Sequence, residues 1–94
     1  MAAVNPNATI HKQELPLVSG ITLWLPVDAR LLHVAVQYGR PCLWYWTADP
    51  DGSRAQFNFT WYGTGHACSH DPDNYVGTVL LEEGTLVLHL FKDA

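Results

Sequence analysis

Apolar and polar residues alternate along most of the chain. The clearest run places Phe57, Phe59 and Trp61 between Gln56, Asn58, Thr60 and Tyr62. Because successive side chains of a β-strand point to opposite faces, a period of two predicts half-buried strands. The same period recurs in residues 21–25, 32–38, 42–47 and 85–90, and no window has the period of an amphipathic helix.

Turn-forming residues separate these runs at intervals of about ten residues. They occupy Tyr38–Pro41, Asp49–Ser53 and Glu82–Thr85, where Gly, Pro and Asp have their usual turn roles. The pattern predicts an all-β domain, a small antiparallel sandwich or barrel of about six to seven strands. We expect residues 1–8 to be a flexible N-terminal arm and residues 9–94 a single domain, with one long irregular segment at 63–74.

Composition narrows the classes of partner. The chain has a net charge of −4, whereas proteins that bind duplex nucleic acid are basic, so we expect no such partner. There is no long apolar run and no signal-like N-terminus, so we expect no membrane partner and a cytoplasmic location. Charged residues make up only 15% of the chain, which favours a homo-oligomer that covers apolar surface.

The irregular segment contains most of the residues that could bind an anion or a metal ion. In Gly63, Thr64, Gly65 and His66, two glycines let backbone N–H groups converge on an anion. A zinc site from His66, Cys68, His70, Asp71 and Asp73 is the alternative. A His pair four residues apart converges only on a helix, so we predict no metal and no cofactor. The simplest interpretation is a loop that caps its own backbone.

The aromatic residues suggest a second element of a binding site. Trp44, Trp46 and Trp61 are candidate platforms for stacking a base, or else core residues. Arg40 and Arg54 lie beside turns, where a guanidinium can bind phosphate or simply remain at the surface. Enzyme signatures are absent, so we predict no catalytic residues.

Several strings together resemble a family of short proteins of tailed phages and prophages with no assigned function. They are Leu31–Val34, Gly39–Trp44, Tyr62–His66, Tyr75–Thr78 and Leu86–Phe91, with Gly-Thr-Gly-His as the most specific part. The resemblance runs from about Ile10 to Phe91. It implies a phage origin and expression in the host cytoplasm, and it supplies no catalytic residues.

Small acidic phage proteins without enzyme motifs often act by binding. The leading hypothesis is therefore a non-catalytic counter-defence or host-takeover protein that sequesters a small immune signalling nucleotide. One alternative is an inhibitor that binds a host defence protein directly. The others are a structural accessory of the virion and a metal-dependent hydrolase.

Overall fold

The prediction of an all-β fold is confirmed. A computed structural model describes residues 7–94, which form seven strands in two antiparallel sheets, a small β-sandwich. The strands are β1 (Thr9–Glu14), β2 (Gly20–Pro26), β3 (Arg30–Gln37), β4 (Arg40–Thr47), β5 (Arg54–Gly63), β6 (Tyr75–Leu81) and β7 (Leu86–Lys92). Single 3₁₀ turns occupy Pro72–Asn74 and Glu82–Gly84.

The two sheets differ in size and strand order. Sheet A has the order β1-β4-β3, and sheet B has the order β2-β5-β7-β6. Most of the predicted arm, residues 1–6, lies outside the described residues. No helix in the described part of the chain is long and apolar enough to span a membrane.

The core lies between the sheets and follows the predicted alternation. Its largest fully buried side chain is Phe59 of β5, and Leu43 of β4 and Leu90 of β7 are equally inaccessible. Further inward side chains of β2 to β6 complete the core: Ile21, Leu23, Leu25, Val34, Tyr45, Trp61, Val79 and Leu81. Burying these side chains is the main term that stabilises so small a domain.

Two tight turns make consecutive strands neighbours in a sheet. Tyr38 and Gly39 both have positive φ, 52° and 76°, as a two-residue type I′ hairpin requires between β3 and β4. The predicted hairpin at Glu82–Thr85 is confirmed, because it joins β6 to β7 at the pair Leu81–Leu86.

One buried polar group closes the end of sheet A. Thr47 is fully buried, and its hydroxyl donates to Asp28 Oδ1 at 2.5 Å. The Ala48 N–H donates to the other carboxylate oxygen at 2.9 Å. The hydrogen bond from Thr47 and then that from Ala48 hold the pKa of Asp28 below its ordinary value, so this contact fixes the turn after β4.

Candidate functional site

The outer face of sheet A is the most distinctive surface of the molecule, and we call it the tryptophan face. Its centre is the outward row of β4, which includes Trp44 and Trp46. On one side, β1 places Lys12 opposite Trp44 and Ile10 opposite Trp46. On the other side, β3 presents Arg30, His33, Ala35 and Gln37. Glu14 and Arg40 complete the face, whereas Cys42, in the same row of β4, is buried.

Two indole rings lie at the centre of this face. Both are only partly buried, and neither indole N–H donates to another residue in the described part of the chain. Trp44 and Trp46 are two residues apart on one strand, so their side chains emerge about 7 Å apart. The His33 ring lies beside Trp44, with 6.4 Å between ring centroids, and Ile10 is 62% exposed.

The charge of this face is opposite to that of the whole protein. Three of the five Lys and Arg residues lie on it, namely Lys12, Arg30 and Arg40. Only one of the nine acidic residues does, Glu14. The face therefore carries three positive charges and one negative, whereas the remaining surface of the −4 chain is strongly negative. The formal charges therefore favour an anion at this face over the rest of the surface.

The cations on the face differ in how far they are already paired. Arg40 forms an exposed ion pair with Glu14, with Nη1 at 3.1 Å from Oε1. Lys12 donates instead to the neutral Gln37 carbonyl at 2.6 Å. Within residues 7–94, no carboxylate lies within ion-pair distance of Lys12 or Arg30. In the described part of the chain, the charges of these two side chains therefore have no acidic partner.

The structure brings together only some of the site residues predicted from sequence. Arg40, Trp44 and Trp46 share the tryptophan face. Trp61, by contrast, is a core residue only 8% exposed, and its Nε1–H donates to the Pro16 carbonyl at 3.0 Å. Its ring belongs to the core cluster between the sheets and lies apart from the tryptophan face.

The predicted anion nest lies on the other sheet. The His66 N–H donates to the Gly63 carbonyl at 3.1 Å, so the turn itself uses one of the expected amides. The Thr64 hydroxyl bonds to His89 Nε2 at 2.7 Å. Gly65 supplies the positive φ of 84° that this turn requires, and the groove beside the turn measures about 360 Å³ and contains no Lys or Arg.

Arg54 cannot complete that nest. It begins β5, whereas Gly63 ends it, so eight strand residues lie between them and the two are roughly 30 Å apart. The Arg54 guanidinium donates to the Pro50 carbonyl at 3.3 Å and so helps to shape its own turn. The structure therefore separates the predicted glycine turn from both of its expected partners, the arginines and the stacking rings.

The histidines of the irregular segment do not form a metal site. His70 bonds to Asp93 and Tyr62, and Asp71 accepts the Asp73 N–H at 2.8 Å as the cap of the 3₁₀ turn. Between Asn7 and Ala94, no group of three or more His, Cys, Asp or Glu side chains is arranged to hold a metal ion.

His70 instead centres a hydrogen-bonded array on sheet B that the sequence did not indicate. Asp93 Oδ1 lies 2.6 Å from His70 Nε2 and also accepts the Thr60 hydroxyl at 2.9 Å. Because the carboxylate only accepts, the His70 Nε2–H donates to it, and His70 Nδ1 lies 2.6 Å from the Tyr62 hydroxyl. This array ties the irregular segment and the C-terminal end of the chain to β5.

We expect this array to make stability depend on pH in the acid range. Burial on its own would raise the pKa of Asp93, but the hydrogen bonds from His70 and Thr60 and the charges of His70 and Lys92 outweigh it and lower that pKa below 3.8. A lowered pKa stabilises the folded state above pH 3.8, and this contribution is lost as the pH falls through the lower folded value.

Asp93→Asn tests this expectation by chemical denaturation over a range of pH. The free energy of unfolding should be lower than that of the wild type near neutral pH, and the difference should shrink as the pH falls below 3.8. A difference that stays constant down to the lowest pH would show that the Asp93 charge is not involved. Asp93 is partly exposed, so the effect should be modest.

Two of the three cationic residues of the tryptophan face, Lys12 and Arg30, were not predicted as site residues from the sequence. The available signal was the alternation within Thr9–Glu14, where Ile10, Lys12 and Glu14 fall on one face. That signal is weak because Ile10 is the only strongly apolar residue of the strand. Arg30 lies directly after a turn, where its direction depends on the pairing with Trp46.

Comparison with known proteins places the chain in a family without adding an activity. No curated protein and no solved structure matches it. A family model described as a domain of unknown function, DUF7352, matches residues 6–94. That match covers all seven strands and both faces described above, and the chain belongs to the DUF7352 family.

Proposed function

We propose that this domain is a non-catalytic binding protein that holds a small nucleotide on the tryptophan face. The observation that carries the proposal is the coincidence of two accessible indole rings with two cations that have no acidic partner within residues 7–94. A nucleotide combines the two features that this surface complements, a planar base and a phosphate.

Each part of the face has a separate physical role in this proposal. Trp44 and Trp46 stack on bases, an interaction that contributes about 1–3 kcal/mol per base. Arg30 and Lys12 flank the rings on opposite strands and neutralise phosphate, and the Arg30 guanidinium can bind two phosphate oxygens at once. The negative charge of the other surfaces disfavours long nucleic acids, so a short ligand fits better.

Binding without turnover is favoured by the absence of acid–base machinery around the rings. His33 is the only histidine on the face, and within the described residues it has no carboxylate partner that would orient it as a general base. The Asp93–His70–Tyr62 array lies on the other sheet.

The resemblance to phage and prophage proteins suggests the biological context. A host that signals infection with a nucleotide is countered by a protein that sequesters it. We therefore propose that the ligand is a small immune signalling nucleotide and that the protein acts in counter-defence. In this role affinity matters and turnover does not.

Titration with a panel of nucleotides tests the proposal. The panel contains cyclic dinucleotides, larger cyclic oligonucleotides and isomers of cyclic ADP-ribose. Binding is measured by calorimetry and by changes in the backbone amide chemical shifts. We expect one class to bind and to shift the amides of Lys12, Arg30, Trp44 and Trp46, while those of Gly63–His66 stay unchanged. The matching nucleoside, which lacks phosphate, should bind more weakly.

Failure of every nucleotide to bind would remove the proposal. Specific capture of one host protein through the same face, with no nucleotide bound, would favour direct inhibition of a defence protein instead. Amide chemical-shift changes confined to Gly63–His66 would indicate that the nucleotide binds at the glycine turn and not on the tryptophan face.

A further inference from the structure

The free edge of β2 differs from the other sheet edges. The outer strands β3 and β6 pack against each other where the sheets meet, and the β1 edge carries the charges of Lys12 and Glu14. By contrast, β2 has no charged residue, and neither has the whole stretch 15–27. No strand among residues 7–94 pairs with this edge. Uncharged exposed edges promote strand pairing between chains.

The hydrogen-bonding pattern identifies which backbone groups are free. Trp61 N–H donates to Ser19 C=O, and Val27 N–H donates to Ser53 C=O, so the odd-numbered residues of β2 bond to β5. The N–H and C=O groups of Gly20, Thr22 and Trp24 therefore point away from the sheet. Pro26, which has no N–H, takes the next such position, as edge prolines do.

We infer that a second copy of this chain occupies the edge, with the two β2 strands antiparallel about a twofold axis at Thr22. In this register Thr22 pairs with the partner's Thr22, and Trp24 pairs with the partner's Gly20. All three residues exchange both backbone bonds, about six in total. A register that placed Pro26 opposite the partner's Gly20 would lose one N–H donor from each chain.

Side chains support the same register. Trp24 is 62% exposed, and a Cβ built on Gly20 would meet nothing within 4 Å. The indole of Trp24 can therefore cover the backbone at the partner's Gly20, a known way to protect a strand glycine. Because β2 is uncharged, two acidic chains can meet here without placing like charges opposite each other. This interface is independent of the nucleotide proposal.

Solution mass by light scattering tests the inference with variants at Thr22. The wild type should have twice the mass of one chain at high concentration. Thr22→Pro removes an N–H that faces the free edge and not β5, so it should give a folded monomer. Thr22→Lys places two positive charges opposite each other and should also give a monomer. If the proline variant does not fold, the lysine variant tests dimerisation through β2 instead. Thr22→Val should remain a dimer.

Cross-linking tests the register. With Cys68 replaced by Ser, because Cys68 is exposed, Thr22→Cys should be joined to its partner by a short bis-maleimide. Gln56→Cys, at a position that is also exposed and lies on the adjacent strand, should not be joined. A monomeric wild type, a Thr22→Lys variant that still dimerises, or cross-linking through Gln56→Cys and not Thr22→Cys would each overturn the inference.

Discussion

Replacing Trp44 and Trp46 together with alanine is expected to abolish measurable nucleotide binding while leaving the fold intact. Each ring contributes about 1–3 kcal/mol when it stacks on a base, which is roughly a 5- to 150-fold change in Kd. Both rings are on the outer face and only partly buried, so the core between the sheets is unaffected. Calorimetric titration of the double variant and of each single variant measures the effect, and circular dichroism checks the fold.

A matched control comes from a third tryptophan. Trp24 is 62% exposed on the outer face of sheet B, so Trp24→Ala removes an accessible indole without touching the tryptophan face. It should leave the Kd unchanged. Equal losses of nucleotide affinity for Trp24→Ala and Trp44→Ala would show that the rings act non-specifically.

Arg30→Met should weaken nucleotide binding and also reduce the dependence of binding on salt concentration, since one phosphate contact is lost.

The fold was predictable where one face of a strand is apolar and the other polar. The rows Ile21-Leu23-Leu25 and Phe57-Phe59-Trp61 point inward as their alternation requires. Alternation was not sufficient in β3, where a bulge between Leu31 and His33 leaves Leu32 52% exposed, outside the row that contains Val34. Strand order was not predictable, because pairs such as β1–β4 join residues distant in sequence.

The candidate site was harder to predict because both faces of β4 are apolar. Cys42, Trp44 and Trp46 alternate with Leu43 and Tyr45, so the period of two cannot say which row is buried. Only packing decides, and it buries Leu43 and Tyr45. The pairing of Arg40 with the two tryptophans was predictable, since they share one strand face. The cations from β1 and β3 depend on strand order and were not.

A close approach between the sheets at Gly77 predicts the second large effect, on stability. Gly77 of β6 faces Val34 of β3, and a Cβ built on Gly77 would lie 2.3 Å from Val34 Cγ1. Val34 is 3% exposed, and its β-branched side chain has little freedom to move. Gly77→Ala should therefore overpack this contact and lower the free energy of unfolding by about 1–3 kcal/mol, and denaturant unfolding measures the loss.

Val34→Ala supplies the test of mechanism, because it removes the methyl group that Gly77→Ala would strike. Alone it should destabilise by creating a cavity, yet combined with Gly77→Ala it should cost less than the two separate losses added together. Coupling of about 0.5–3 kcal/mol is typical for side chains in direct contact. Gly20→Ala, compared within the Thr22→Lys background so that pairing of β2 strands does not contribute, should change stability little, because the added Cβ meets nothing within 4 Å. Strict additivity of the Gly77 and Val34 variants would mean that steric contact between β3 and β6 is not what makes glycine necessary at position 77.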